Sequence, residues 1–231
     1  TVTGTVSMVL DANSRISLGN NDSSGGATNT IFGYLAGDKI ASGGTDNTLI
    51  GKQAGNQTTY GITTGDYNTA VGSSALGASA AAHITGSSNT AIGYNAMLEA
   101  QGAVASNTAV GSSALMDVTT GDRNTSVGAN SLLALTDGQY NIAIGYDAGK
   151  ALDGGTHNVI IGDSAGIATT LVDKTVLIGQ GAGAGALDAN ADGTVAIGMN
   201  ALGALISGAG NTAVGYQAAD SVGTGGNNTI V

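Results

Sequence analysis

The chain has 231 residues, of which 40 are Gly, and it contains one Phe and neither Trp, Pro nor Cys. Its net charge of −10 argues against nucleic acid and against anionic membrane surfaces, because both recruit clustered Lys and Arg. The lack of Cys excludes a disulfide framework, and the scarcity of aromatic residues predicts a thin core of small and β-branched side chains.

The chain begins with a segment that alternates apolar and polar side chains, with Val6, Met8 and Leu10 on one side. Residues 1–14 are therefore predicted to be an entry strand or the end of a preceding repeat. No signal peptide or membrane-spanning run is visible. Because the last tag described below stops at Val231, one residue before its Gly, we expect residues 15–231 to be one continuous segment of a longer array.

A five-residue tag, typified by Asn68-Thr69-Ala70-Val71-Gly72, recurs from residue 15 to the end, mostly every 17 residues. We number its residues as positions 1 to 5 and continue the count through each unit. Such a period predicts one small unit stacked many times, here an all-β parallel β-solenoid of about twelve coils. The position-5 Gly predicts a positive φ or a close backbone approach at Gly33, Gly51, Gly72, Gly93, Gly111, Gly128, Gly145, Gly162, Gly179, Gly198 and Gly215.

Both faces of the tag strand are predicted to be buried. Position 2 is always β-branched and position 4 always apolar, as in Thr108 and Val110, so we expect this face to point into the coil. Position 3, as in Ala109, is small or aliphatic and never Lys, Glu, Thr or Gln. Several copies packing around an axis would explain the second dry face; the alternative is that position 3 packs on another segment of the same chain.

Other columns of the repeat predict local structure. Asn recurs at position 1 in nearly every unit, which favours a hydrogen-bonded ladder over a ligand site. Position 8 is mostly Ala, and the second half of each unit fits either a short strand or a single helical turn. The intervals 51–72 and 72–93 carry four additional residues each, which we expect to emerge as loops.

The run from Asn211 to Ala218, Asn-Thr-Ala-Val-Gly-Tyr-Gln-Ala, resembles repeats of phage tail-fibre proteins. The tag followed by Ala is also similar to the head repeats of trimeric autotransporter adhesins of the YadA type. This resemblance extends over essentially the whole chain and implies a left-handed parallel β-roll in a homotrimeric, extracellular fibre, on a cell surface or a virion. The period of 17 is longer than is usual in adhesin heads, so adhesin and phage fibre both stay open.

The sequence shows no catalytic or metal-binding constellation. His83 and His157 lie several repeats apart, and we expect no cofactor and no metal. The function favoured is a non-catalytic structural and adhesive fibre segment. The alternative is a polysaccharide-degrading, tailspike-like enzyme that uses turn Asp residues. An ice-binding face would need an outward Thr column, and the position-2 Thr are expected to point inward.

Position 6 carries the best candidates for surface recognition. It is Tyr in four units and otherwise mostly polar, and exposed Tyr can stack on sugars or fill a partner's pocket. The candidates are Tyr34, Tyr94, Tyr146 and Tyr216; the alternative is that each ring lies flat over the neighbouring coil. The expected partners are other copies of the chain, side by side as a homotrimer or end to end, and a host-surface or glycan receptor.

Overall fold

The computed structural model describes residues 16–17, 28–40, 44–56, 61–78 and 83–231. Their strands form one 13-stranded sheet in sequence order. The strands are β1 (Ile16–Ser17), β2 (Thr30–Phe32), β3 (Thr48–Ile50), β4 (Thr69–Val71), β5 (Thr90–Ile92), β6 (Thr108–Val110), β7 (Thr125–Val127), β8 (Ile142–Ile144), β9 (Val159–Ile161), β10 (Val176–Ile178), β11 (Val195–Ile197), β12 (Thr212–Val214) and β13 (Thr229–Ile230).

Every neighbouring pair from β2 to β13 is parallel, and each tag position faces the same position of the next tag. Val110 is paired with Val127, for example, and Val176 with Val195. The chain therefore makes about eleven turns of a β-solenoid, and the predicted parallel architecture with coils of about 17 residues is confirmed.

The first strand departs from this order. β1 pairs antiparallel with β2, and Ile16 faces Phe32 rather than position 2 of the next tag. The expectation that the parallel array starts at the first tag is thus wrong, and the array starts at Thr30. The predicted entry segment, residues 1–14, lies outside the described residues.

The strands face the opposite way from the one expected, with position 3 pointing into the coil. Position 3 is fully buried, as at Ala109, whereas the flanking Thr108 and Val110 are half-buried. The prediction that positions 2 and 4 line the interior is wrong because the coil is narrow. Its interior has room for one residue per strand, opposite the turns of the second half.

Positions 3 and 9 of the same coil fill the interior together. Their side-chain sizes are inversely related, which we call the size exchange. Where position 3 is large, position 9 is Gly, as in Ile31 with Gly37, Leu49 with Gly55, Ile160 with Gly166 and Leu177 with Gly183. Where position 3 is small, position 9 is large and buried in five of seven coils, as in Ala70 with Leu76, Ala91 with Met97, Ala109 with Leu115, Ser126 with Leu132 and Ala196 with Leu202. The exceptions are Ala143 with Gly149 and Ala213 with Ala219, where both positions are small. A Cβ added at Gly183 would lie 2.7 Å from Cδ2 of Leu177, so the two positions compete for one volume.

The second half of each coil is neither a strand nor a helical turn. Positions 7 and 9 take positive φ, as at Ser113 (54°) and Leu115 (51°), and a 3₁₀ turn occurs only at Ala189–Ala191 among the described residues. The backbone still bonds from coil to coil. Ser113 N–H donates to the carbonyl of Tyr94 at 2.8 Å, and Leu115 N–H donates to that of Ser131 at 2.9 Å.

The position-5 glycines meet both requirements that predict Gly. Gly128 has φ of 129°, and a Cβ there would lie 2.3 Å from the carbonyl oxygen of Gly145. The same contact repeats from Gly33 to Gly198. Gly215 has the same conformation, with φ of 136°. Gly193 combines a positive φ of 70° with no heavy atom within 4 Å of an added Cβ, so it has a positive φ without the close approach.

The predicted Asn ladder is confirmed. Asn124 Nδ2 donates to Oδ1 of Asn107 at 3.2 Å and to the carbonyl of Gly138 at 2.8 Å. Its own Oδ1 accepts from the backbone N–H and from Nδ2 of Asn141. Thr175 continues the ladder by donating its hydroxyl to Oδ1 of Asn158 at 2.7 Å. Asn124 is thus satisfied by the coils before and after it, and the ladder is interrupted at Thr194, whose hydroxyl donates to the carbonyl of Ala191.

Candidate functional site

The outer face of the sheet is the most distinctive surface of the described chain. Because position 3 points inward, positions 2 and 4 of strands β2 to β12 form two half-exposed columns, which we call the outer strip. Its members are Thr, Val, Ile and one Phe, and none is charged. Phe32 is 53% exposed, Ile142 40% and Ile144 39%. A long sheet face that lacks charged side chains and has a continuous apolar column at position 4 is typical of an interaction surface.

The outer strip is large for a monomer. Its eleven strands, spaced by about 4.8 Å, extend for roughly 50 Å, and two side chains on one strand cover a width of about 10 Å. The strip therefore covers on the order of 500 Å², near the upper end of the apolar patches that monomers expose.

The composition of the strip changes along the solenoid. In β2 to β7 position 2 is Thr, from Thr30 to Thr125. In β8 to β11 both positions are aliphatic, from Ile142 to Ile197. The Thr column thus points outward, and the expectation that it shares the inward face is wrong.

The position-6 column borders the strip just after the corner glycine. Tyr34, Tyr94, Tyr146 and Tyr216 are 45%, 60%, 56% and 67% exposed. They do not converge on one site, because two or three coils separate successive rings. The intervening position-6 residues in the central part of the chain are small, Ser112 and Ala129 between Tyr94 and Tyr146.

A second surface column precedes the tag. Arg123, Tyr140, His157 and Lys174 follow one another in four coils. The rings of Tyr140 and His157 stack with centroids 4.8 Å apart, and the Arg123 guanidinium lies 5.3 Å from the Tyr140 centroid and donates to its hydroxyl at 3.1 Å. The ring faces are used within the column, which favours a role in ordering the turns.

The turn Asp residues mainly tie one coil to the preceding one. Asp122 accepts the N–H of Ala105 at 2.7 Å, and Asp173 accepts the N–H of Thr156 at 2.6 Å. Their repetition reflects turn structure. No group of three or more His, Cys, Asp or Glu residues suited to a metal occurs among the described residues.

One carboxyl pair has shifted acidity. Burial, and then the charge of Asp117, raise the pKa of Glu99, and burial raises the pKa of Asp117. The two residues lie at the same position of adjacent coils, and paired carboxyls are what a glycosidase requires. No sequence motif distinguishes this pair, although Glu99 is the only Glu of the chain.

The sequence contained a signal for the strand orientation that the column-by-column interpretation overlooked. The size exchange between positions 3 and 9 shows that both share the interior, and it can be read from the printed sequence by comparing pairs such as Leu177 with Gly183 and Ala109 with Leu115. Positions 2 and 4 show no such compensation, which is typical of side chains that do not share a closed volume.

Comparison with known proteins gives no match: no family model, no curated protein and no solved structure corresponds to the chain. Within the described residues, no helix is long and apolar enough to cross a membrane.

Proposed function

We propose that the chain is a non-catalytic structural and adhesive fibre module that associates with further copies of itself through the outer strip, as a homotrimer displayed outside the cell or on a virion. The observation that carries the proposal is the strip itself, an uncharged sheet face over eleven strands in which position 4 is always Val, Ile or Phe and position 2 is Thr, Val or Ile. Burying such a face is the main driving force of protein association.

The regular geometry of the strip supports assembly between identical copies. Because each coil presents the same two columns at the same rise, parallel copies in register bring apolar side chains of equal height together. A closed ring of such copies hides every strip, which open association would not. The resemblance of the tag to trimeric fibre repeats favours three copies.

The oligomeric state in solution tests the proposal. Light scattering of the folded chain at micromolar concentration should give three copies. Ile144→Lys together with Ile161→Lys places charges in the strip and should yield monomers, whereas Ala204→Lys, on an exposed turn outside the strip, should leave the assembly intact. A folded monomeric parent chain would contradict the proposal.

Two other functions have specific observations in their favour. The Glu99 and Asp117 carboxyls favour a polysaccharide-degrading enzyme. Release of sugar fragments by the parent chain, abolished by Glu99→Gln, would establish this activity.

The outward Thr column from Thr30 to Thr125 is the array that an ice-binding surface requires. The aliphatic strands β8 to β11 and the protruding Phe32 interrupt that array, and thermal hysteresis of the solution would reveal ice binding.

A further inference from the structure

The position-6 column contains a bay between Tyr94 and Tyr146. The two tyrosines are three coils apart, about 14 Å along the axis. The coils between them carry Ser112, which is exposed, and Ala129, which is half-buried, and both side chains are short. The bay therefore has an aromatic wall at each end and a low floor.

The rings at its ends are available to a ligand. Tyr94 is 60% exposed and Tyr146 56%, which a ring lying flat over the neighbouring coil would not reach. Arg123 and His157 pack against Tyr140, but no aromatic or cationic partner is found for Tyr94 or Tyr146 within the described residues. Position 7 supplies polar side chains beside the floor, including Asn95 and Ser113, which suit hydroxyl groups.

The charges around the bay select against an anionic ligand. Asp147, beside Tyr146, is paired with Lys150 at 3.3 Å, and the exposed Asp163 follows at position 6 of the next coil. The position-6 column has one cation, Lys52, two coils before Tyr94. An acidic polymer would therefore meet uncompensated negative charge, in a chain whose net charge is −10.

We propose that this bay binds an extended neutral polysaccharide that runs along the solenoid axis, with sugar rings stacked on Tyr94 and Tyr146 and the intervening sugars over Ser112 and Ala129. Pyranose rings present C–H-rich faces that pack on aromatic rings, and their hydroxyls bond to the polar column alongside. The inference rests on the adhesive role proposed above and names its ligand class and site.

Affinity electrophoresis of the full chain tests the bay, with mixed-linkage β-glucan, galactomannan and dextran as neutral probes and polygalacturonate and hyaluronan as anionic ones. At least one neutral probe should retard the protein and neither anionic probe should. Tyr94→Ala and Tyr146→Ala should each weaken binding by roughly 3- to 10-fold, the range of one aromatic contact. Tyr94→Phe should keep most of the affinity.

Two further variants distinguish a ligand that spans the bay from ligands that bind to single exposed tyrosine rings. Ala129→Arg fills the floor without removing a ring and should weaken binding, whereas Tyr67→Ala removes a 64% exposed tyrosine outside the column and should not. Retardation by anionic probes alone, by no probe, equal losses at Tyr67 and Tyr94, or full binding by Ala129→Arg would overturn the inference.

Light scattering on the same samples keeps the two proposals distinct. A trimer that binds no neutral probe contradicts the bay but not the assembly. A monomer that binds neutral glycan through Tyr94 contradicts the assembly but not the bay.

Discussion

Exchanging the two core partners of one coil tests how the interior is filled. In the coil of β6, Ala109 and Leu115 are both fully buried. The coil of β10 fills the equivalent interior volume with Leu177 and Gly183. We expect Ala109→Leu alone to overpack the interior, at a cost of about 1–3 kcal/mol.

The second single variant should cost more. Leu115→Gly empties the volume of a buried Leu, for which about 2–5 kcal/mol is typical, although Gly accepts the positive φ of this position better and so offsets about 1 kcal/mol. The double variant restores the arrangement of the β10 coil. We therefore expect it to lie within about 1–2 kcal/mol of the parent, with a coupling of about 2 kcal/mol or more.

The assay is guanidinium unfolding followed by circular dichroism, at one protein concentration, with the midpoints of parent, single and double variants compared. Ala109→Leu combined with Leu202→Gly, in a distant coil, is the matched control and should be additive. If the Ala109 and Leu115 effects add within about 0.5 kcal/mol, the two side chains do not share one volume and the exchange is coincidental.

Three more predictions concern other columns. Gly128→Ala should destabilise more than Gly193→Ala, because both have positive φ but only the first Cβ would meet the carbonyl of the next coil; equal melting shifts would argue against the close contact. Asn124→Ala should cost about 1–3 kcal/mol by leaving buried partners unsatisfied, and Asn124→Thr less, as Thr175 illustrates; calorimetry compares them. Glu99→Gln should stabilise by about 0.2–1 kcal/mol at pH 7, since the raised pKa values of Glu99 and Asp117 lower stability as pH rises past the ordinary carboxyl range; a gain that persists at pH 3 would contradict this cause.

The sequence predicts the periodic features of the fold well, because each repeats the same physical demand. A parallel stack favours a nearly constant spacing, a hydrogen-bonding side chain at position 1 and a Gly wherever neighbouring backbones approach. These requirements recur in most units, as at Asn124 and Gly128, and the sequence predicts the parallel solenoid and its ladder from them. Features that occur once leave no such record, and the antiparallel pairing of Ile16 with Phe32 is one of them.

The prediction of the strand orientation was wrong for a different reason. Hydrophobicity assigns the inside of a strand only when the outside is polar, and here the outer strip has no charged residue and its position-4 column is as apolar as the core. Ala109 is less hydrophobic than the flanking Val110, so hydrophobicity alone selects the wrong face. Volume is the better guide, because only buried positions must compensate one another in size.

The small inward side chains of the tag strands and the apolar side chains of the outer strip are physically related. Six of the eleven inward tag positions from β2 to β12 are Ala, and burying Ala contributes little compared with burying Val or Ile. Each coil also holds positions 7 and 9 at positive φ, a conformation that costs most residues about 1 kcal/mol or more. Large aliphatic side chains such as Leu115 and Leu177 fill the interior, but others, such as Ile144 and Ile161, lie on the outer strip and are only partly buried. Those outer side chains leave part of the hydrophobic free energy available for association, which is why we propose that this chain functions through its assembly.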